Sequence, residues 1–123
     1  MKIGISRAVS ADQTKEALEA ARKYGFEGMQ LKEHQYKPFG LTKNEFEAAF
    51  PGLTDLAAGG LITYPGADIS KWMDHVSPIL KFAGEIHAGH VCICAGVPRE
   101  DISEENFKKA AELMNEIGNV AQK

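Results

Sequence analysis

Two histidines and two cysteines fall within one short stretch, HAGHVCICAGVP, at residues 87–98. Imidazole and thiolate are ligands that zinc prefers, at about 2.0 to 2.3 Å from the ion. His90, Cys92 and Cys94 share one face of a predicted strand but are spread along it, so at most two of them could reach one ion, and His87 has the opposite parity. We therefore predict no metal site here. Two interpretations remain, a buried strand that uses cysteine as a small apolar residue and a pocket at the strand end that Cys94 lines.

Four other polar residues follow predicted strands, where parallel α/β proteins build their sites. Arg7 follows the first strand, Glu33 and His34 follow the second, and Tyr64 ends the third. Glu33 and His34 are candidates for substrate contact or acid–base catalysis, or simply for a solvated loop. Tyr64 is a candidate for donating its hydroxyl to a ligand or for core packing, and Arg7 for binding phosphate or carboxylate or for a surface ion pair.

The composition narrows the classes of protein to consider. A chain of 123 residues fits one domain, residues 1–123, and 44% apolar residues suffice for a core. A net charge of -3 predicts no broad attraction to nucleic acid or acidic membranes, and no apolar run is long enough to span a bilayer.

Two features predict a cytoplasmic location. The opening MKIGISRAV enters a strand pattern without the apolar segment of a signal peptide. Cysteines two residues apart on one strand lie about 6.8 Å from each other, which is too far for a disulfide. Free thiols of this kind are typical of a reducing compartment.

Strand patterns alternate with helical patterns along the chain. Alternating segments predict strands over residues 2–6, 27–32, 56–64 and 90–94. Helical patterns run from a predicted N-cap at Ser10 to Gly25, and over 42–50, 68–83 and 103–122, with Pro78 predicting a kink or break in the third. The order β-α-β-α-β-α-β-α predicts a parallel sheet joined by right-handed crossovers.

The two faces of these strands differ. Met29 and Leu31 alternate with Gln30 and Lys32, and the other strands follow the same rule. One face suits a layer of helices, and the small or polar face suits the inside and mouth of a barrel. A complete (β/α)₈ barrel takes about 250 residues, so we predict half of one, a (βα)₄ α/β fold with a four-stranded parallel sheet and helices on its outer face.

Several segments resemble the xylose-isomerase-like TIM barrels, the sugar phosphate isomerase/epimerase group. IGISRA with EALEAARKYGFEGMQL resembles their first strand, helix and second strand, through the pattern GF-x-G-x-x-L. LITYPGA resembles the end of their third strand, and IHAGHVCICAG their fourth. The resemblance covers the chain but only the N-terminal half of a typical member, and Cys94 stands where members often have a substrate-facing histidine.

The resemblance implies a metal-assisted proton transfer on a sugar or cyclitol. Members hold a divalent metal (Mn, Mg, Zn or Co) with residues from strands five to eight, so no metal ligand carries over to this chain and the metal is expected only in a complete barrel. It implies sugar-facing roles for the residues at the ends of strands one to four, Arg7, Glu33, His34, Tyr64 and Cys94.

A half-barrel leaves two strand edges and one sheet face open, and such surfaces invite association. We therefore expect a homodimer or association with a second half-barrel. The leading hypothesis is the N-terminal half of a sugar isomerase or epimerase, inactive alone. The alternative is a non-catalytic half-barrel that dimerises and binds a small polyol or nothing.

Overall fold

The computed structural model of the protein describes residues 3–6, 10–52, 59–94 and 102–123. Arg7 lies outside the described residues, as do the start of the first predicted strand at residue 2 and that of the third at residues 56–58.

The described elements alternate in the predicted order, with one extra short helix after the second strand. The strands are β1 (Gly4–Ser6), β2 (Gly28–Lys32), β3 (Gly60–Thr63) and β4 (Val91–Ile93). The helices are α1 (Thr14–Lys23), α2 (Glu33–Tyr36), α3 (Lys43–Ala49), α4 (Trp72–Glu85) and α5 (Glu104–Ala121). Short 3₁₀ turns at Lys37–Phe39 and Ile69–Lys71 connect α2 to the following loop and precede α4.

The four strands form one parallel sheet in the order β1-β2-β3-β4. Ser6 pairs with Gln30, Gln30 with Gly60, and Leu61 with Val91, so the register steps evenly across the sheet. Sequential parallel neighbours require a crossover helix between each pair, as the sequence predicts. The α/β class and the four-stranded parallel sheet are confirmed.

The apolar core lies on one side of this sheet, between it and the helices. Met29, Leu31 and Leu61 are fully buried there and pack with Leu18 from α1 and Phe82 from α4. A second cluster joins Trp72 and Val76 of α4 to Ile117 of α5, with Ile93 of β4 packed against it. The predicted apolar face is thus the face that the helices cover.

The opposite face of the sheet carries the small and polar side chains of the same strands. Ser6, His90 and Cys92 are exposed on this face, while Gln30 and Lys32 are half-buried. Cys92 and Cys94 are both free thiols. The interpretation of the fourth strand as a buried strand with cysteine in the core is therefore wrong.

Two helix details differ from the sequence-based expectation. Helix α1 begins at Thr14 and not after Ser10, because the Ser10 carbonyl instead accepts bonds from Gln13 N (3.2 Å) and from the Thr14 hydroxyl (3.0 Å) in a turn. Helix α4 continues through Pro78 without a break. Pro78 lies on the exposed side of α4, where water can satisfy the carbonyl that its missing N–H leaves unpaired.

Helix α5 buries a narrower face than its apolar pattern predicts. Of the predicted face Phe107, Ala110, Ala111, Met114 and Ile117, only Ile117 is buried, with Ala110 packed beside it. Phe107 is 64% exposed and Met114 44% exposed. Among the described residues, no helix has the length and apolarity needed to cross a membrane.

Candidate functional site

The carboxylate of Glu33 is the centre of a polar cluster at the ends of β2 and β3. Its Oε1 accepts hydrogen bonds from Lys37 Nζ (2.7 Å) and His75 Nε2 (2.9 Å). Its Oε2 accepts from the Thr63 hydroxyl (2.8 Å) and from the backbone N–H of Tyr64 (3.0 Å). One side chain therefore connects α2, β3, the loop after β3 and α4.

The surroundings keep Glu33 ionised. Burial raises the pKa of this carboxyl, but hydrogen bonds from Lys37, Tyr64, Thr63 and His75 together outweigh burial and lower the pKa from 4.5 to about 2. A carboxylate with this pKa is a weak base at neutral pH. Its role in the cluster is to hold the donors around it.

The charge on Glu33 also shows which nitrogen of the His75 ring donates to it. His75 Nε2 lies 2.9 Å from Glu33 Oε1 and 3.1 Å from Thr63 Oγ1, and an ionised carboxylate can only accept a hydrogen bond. Nε2 must therefore carry the proton. The side chain of His75 is 27% exposed, so the ring lies at the boundary between the core and the solvent.

Helix α2 holds Glu33 in place because Gln35, two residues further along this single-turn helix, is anchored in the core. The buried Gln35 side chain accepts a hydrogen bond from Lys32 N (3.0 Å) and donates one to Thr14 Oγ1 (3.2 Å). The first bond satisfies a backbone donor at the start of α2, as N-terminal capping requires. The predicted alternative of a solvated loop at Glu33 and His34 is wrong, since these residues form a short helix.

Tyr36 fixes the other end of α2 beneath the site. Its ring is fully buried against Phe82, and its hydroxyl donates to the carbonyl of Ile62 (3.3 Å). Burial raises the pKa of Tyr36, and the nearby charge of Glu33 raises it further. The phenol therefore stays neutral and acts as a structural donor.

A shallow pocket of about 530 Å³ opens above this cluster. It is lined by Glu33, His34, Lys37, Pro38 and Tyr64. Tyr64 is 47% exposed, so its predicted alternative as a core residue is wrong. The structure thus brings three of the predicted site residues, Glu33, His34 and Tyr64, to one opening that offers an ammonium, an imidazole and a phenol to a ligand.

Cys94 lies one position beyond the pairing of Thr63 with Ile93, and its N–H donates to the Thr63 carbonyl (3.0 Å). It is not among the residues that line the pocket over Glu33. Burial and the neighbouring Cys92 raise the pKa of the Cys94 thiol, with Lys32 opposing them, so the thiol is not activated as a nucleophile.

On the polar face of the sheet, the side chains of Gln30 and His90 form a hydrogen bond that spans β3. Gln30 Nε2 lies 3.2 Å from His90 Nε2, although Gly60 pairs between them in the register. A Cβ atom on Gly60 would lie 2.5 Å from His90 Nε2. Glycine at position 60 therefore leaves the space through which His90 reaches Gln30.

Sequence reasoning missed three members of the cluster, Thr63, His75 and Lys37. Thr63 and His75 lie in segments read only for their apolar periodicity, which says nothing about a polar residue at the edge of a buried face. Lys37 stands four residues after Glu33, a spacing that favours an ion pair on a helix and was available in the sequence.

The described residues do not fit a divalent metal. Within residues 3–6, 10–52, 59–94 and 102–123, no three His, Cys, Asp or Glu side chains converge. Both oxygens of Glu33 already accept two hydrogen bonds each. We therefore derive no step through a metal from this chain.

Comparison with known proteins gives no match, whether by family models, by curated proteins or by solved structures.

Proposed function

We propose that this chain is the first half of a (β/α)₈-type barrel that binds a sugar or cyclitol and, when completed, moves a proton on it. The observation that carries the proposal is the Glu33 cluster at the carboxyl ends of β2 and β3. Sites of (β/α)₈ barrels are built at that end of the sheet, by side chains that follow several different strands. The sequential parallel order and the helices on one face support the half-barrel architecture.

In this proposal, the chain supplies binding groups and not the reacting ones. Lys37, His34 and Tyr64 offer hydrogen-bond donors to the hydroxyl or carbonyl oxygens of a small polyol. Glu33 stays ionised and holds the Lys37 ammonium and the Tyr64 backbone N–H through hydrogen bonds. Proton transfer and metal binding then belong to the second half of the barrel.

A titration tests the binding part. The ¹⁵N-labelled chain is titrated with D-xylose and with myo-inositol, and amide shifts are followed by NMR. We expect shifts at Glu33, His34 and Tyr64, and weaker ones in a Tyr64→Ala variant, because that variant loses a pocket wall. Shifts confined to other parts of the chain, or none at millimolar sugar, would contradict the proposal.

A second experiment tests whether the reacting groups lie outside this chain. The isolated chain with Mn²⁺ is expected to convert no aldose to ketose, because the groups that react lie in the other half. Turnover by the isolated 123 residues would show that the site is complete.

A non-catalytic binding and assembly module is the second candidate. It is favoured by the saturation of Glu33, whose two oxygens accept four hydrogen bonds, so this carboxylate is not available as a base. The two candidates differ in D₂O, where an isomerase assembly exchanges a carbon-bound proton of a bound sugar with solvent and a binding module does not.

A further inference from the structure

We propose that two copies of this chain associate through their sheet edges, with β1 of one copy beside β4 and beneath α5 of the other. The inference goes beyond the leading proposal, which needs a second half with different residues, and it rests on the second candidate, because it names the partner of a binding and assembly module.

Within the part of the chain that the structure describes, the first and last strands in the sheet order are each paired on one side only. β1 pairs with β2, and β4 pairs with β3. A strand with one unpaired edge presents a row of N–H and C=O groups to any strand of suitable direction. Both edges belong to the same parallel sheet, so each is a template for one more parallel strand.

The helices show where the added strand would lie. A right-handed crossover places each helix over its own strand and the next one. Leu18 of α1 packs with Ile5 of β1 and Met29 of β2 in this way. Phe82 of α4 packs likewise in the cluster that holds Leu61 of β3 and Val91 of β4.

Helix α5 has only one strand to cover in the described chain. Ile117 packs in the cluster that includes Ile93 of β4, but the neighbouring stripe of α5 is separated from β4 by a groove. We call this the α5 stripe, and it consists of small and apolar residues three or four apart: Phe107, Ala111, Met114, Gly118 and Ala121. Its two large members, Phe107 and Met114, are the exposed ones noted above.

A groove of about 410 Å³ lies between the α5 stripe and β4. Residues of three elements line it, Val91 and Ile93 of β4, Leu80 of α4, and Met114 and Gly118 of α5. The start of the sheet offers apolar side chains to fill it, since Ile3, just before β1, is 58% exposed and Ile5 of β1 is half-buried. Ile5 pairs with the buried Met29 and packs on the helix-covered core, and Ile3, two residues earlier, has the same parity.

Symmetry favours a second copy over another partner. A two-fold axis parallel to the strands keeps every strand parallel and joins β4 of each copy to β1 of the other in two identical junctions. Four strands from each copy give eight, the number that closes a parallel barrel. The same contact that buries Ile3 in one junction therefore recurs in the other.

Light scattering after gel filtration tests the proposal on the full chain. We expect a particle of twice the 13.4 kDa chain mass at high micromolar concentration. Met114→Glu should raise the dimer dissociation constant by about a hundredfold, because it buries an unpaired charge in the groove. Val120→Glu places the same charge on the other flank of α5, where Val120 is 38% exposed, and should leave the dimer intact. Circular dichroism confirms that both variants fold.

A charge pair makes the test specific to this junction. Ile3→Lys alone should also weaken the dimer, and the double variant I3K/M114E should regain most of the lost affinity. A wild-type monomer, or a dimer that M114E leaves unchanged, would overturn the proposal. A double variant I3K/M114E that remains monomeric would overturn it as well. None of these results touches sugar binding at Tyr64, which is measured separately and decides the proposed function by itself.

Discussion

Replacing Glu33 by glutamine removes the charge on which Lys37 and His75 converge. The amide oxygen of glutamine can still accept from Thr63 or Tyr64. Its NH₂ group, however, faces the Lys37 ammonium, which can only donate, so the bond to Lys37 is lost. The variant therefore separates the contribution of the charge from that of the shape of the side chain.

The lowered pKa of Glu33 gives an upper limit for the stability that Glu33→Gln loses. A carboxyl whose pKa falls from 4.5 to about 2 on folding stabilises the folded state by at most about 3 kcal/mol at neutral pH. Lys37 is 47% exposed, so solvent screens its part of the interaction, and we expect a loss of about 1 to 2 kcal/mol. Because the folded pKa is the lower one, this contribution is complete above about pH 5 and disappears as the pH falls towards 2.

Urea unfolding followed by the fluorescence of Trp72, the single and buried tryptophan, measures the difference. We expect Glu33→Gln to be less stable than the wild type at pH 7 and nearly equal to it at pH 2. Glu105→Gln is the matched control, since Glu105 also pairs with a lysine four residues on, Lys109, but is fully solvated there and should change little. A loss at pH 7 that persists unchanged at pH 2 would show that the charge on Glu33 is not what stabilises the cluster.

Three further substitutions test the local structure by the same unfolding measurement. Gly25→Ala should destabilise by about 1 kcal/mol, because Gly25 has a φ of 74°, which strains any side chain even though no atom lies within 4 Å. Gly84→Ala should instead stabilise by about 0.5 to 1 kcal/mol, since this glycine has the same open space but lies inside α4; equal signs for the two would contradict the argument. Tyr36→Phe should cost about 1 kcal/mol through the lost bond to the Ile62 carbonyl, and a neutral result would mean that this 3.3 Å contact contributes nothing.

Strand faces were the part of the fold that the sequence predicted best. Met29 and Leu31 alternate with Gln30 and Lys32, and the structure buries the first pair completely. A period of two is a direct consequence of strand geometry, so it survives whatever packs on the face. Helix ends were less predictable, because Ser10 accepts bonds in a turn through its carbonyl, where the sequence pattern favoured an N-cap.

The sequence predicted only part of the candidate site, because contacts between distant segments cannot be read from local patterns. Position relative to a strand end was enough to select Glu33, His34 and Tyr64. It was not enough to select His75, which reaches Glu33 from the first turns of α4, fully 42 positions away along the chain. On α5, the apolar pattern placed Phe107 and Met114 on the same side as Ile117, but both are exposed, because periodicity cannot tell which neighbour a stripe packs against.

The loop after β3 is held at two points, and this has a consequence for how the pocket can change. Glu33 binds the backbone N–H of Tyr64, and the Trp72 indole donates to the Gly66 carbonyl (3.1 Å). Both contacts are made to the main chain, so neither depends on which side chain stands at position 64. A single codon at that position can therefore change the wall of the proposed binding pocket while the loop keeps its course, which makes residue 64 the natural starting point for giving the pocket a different shape.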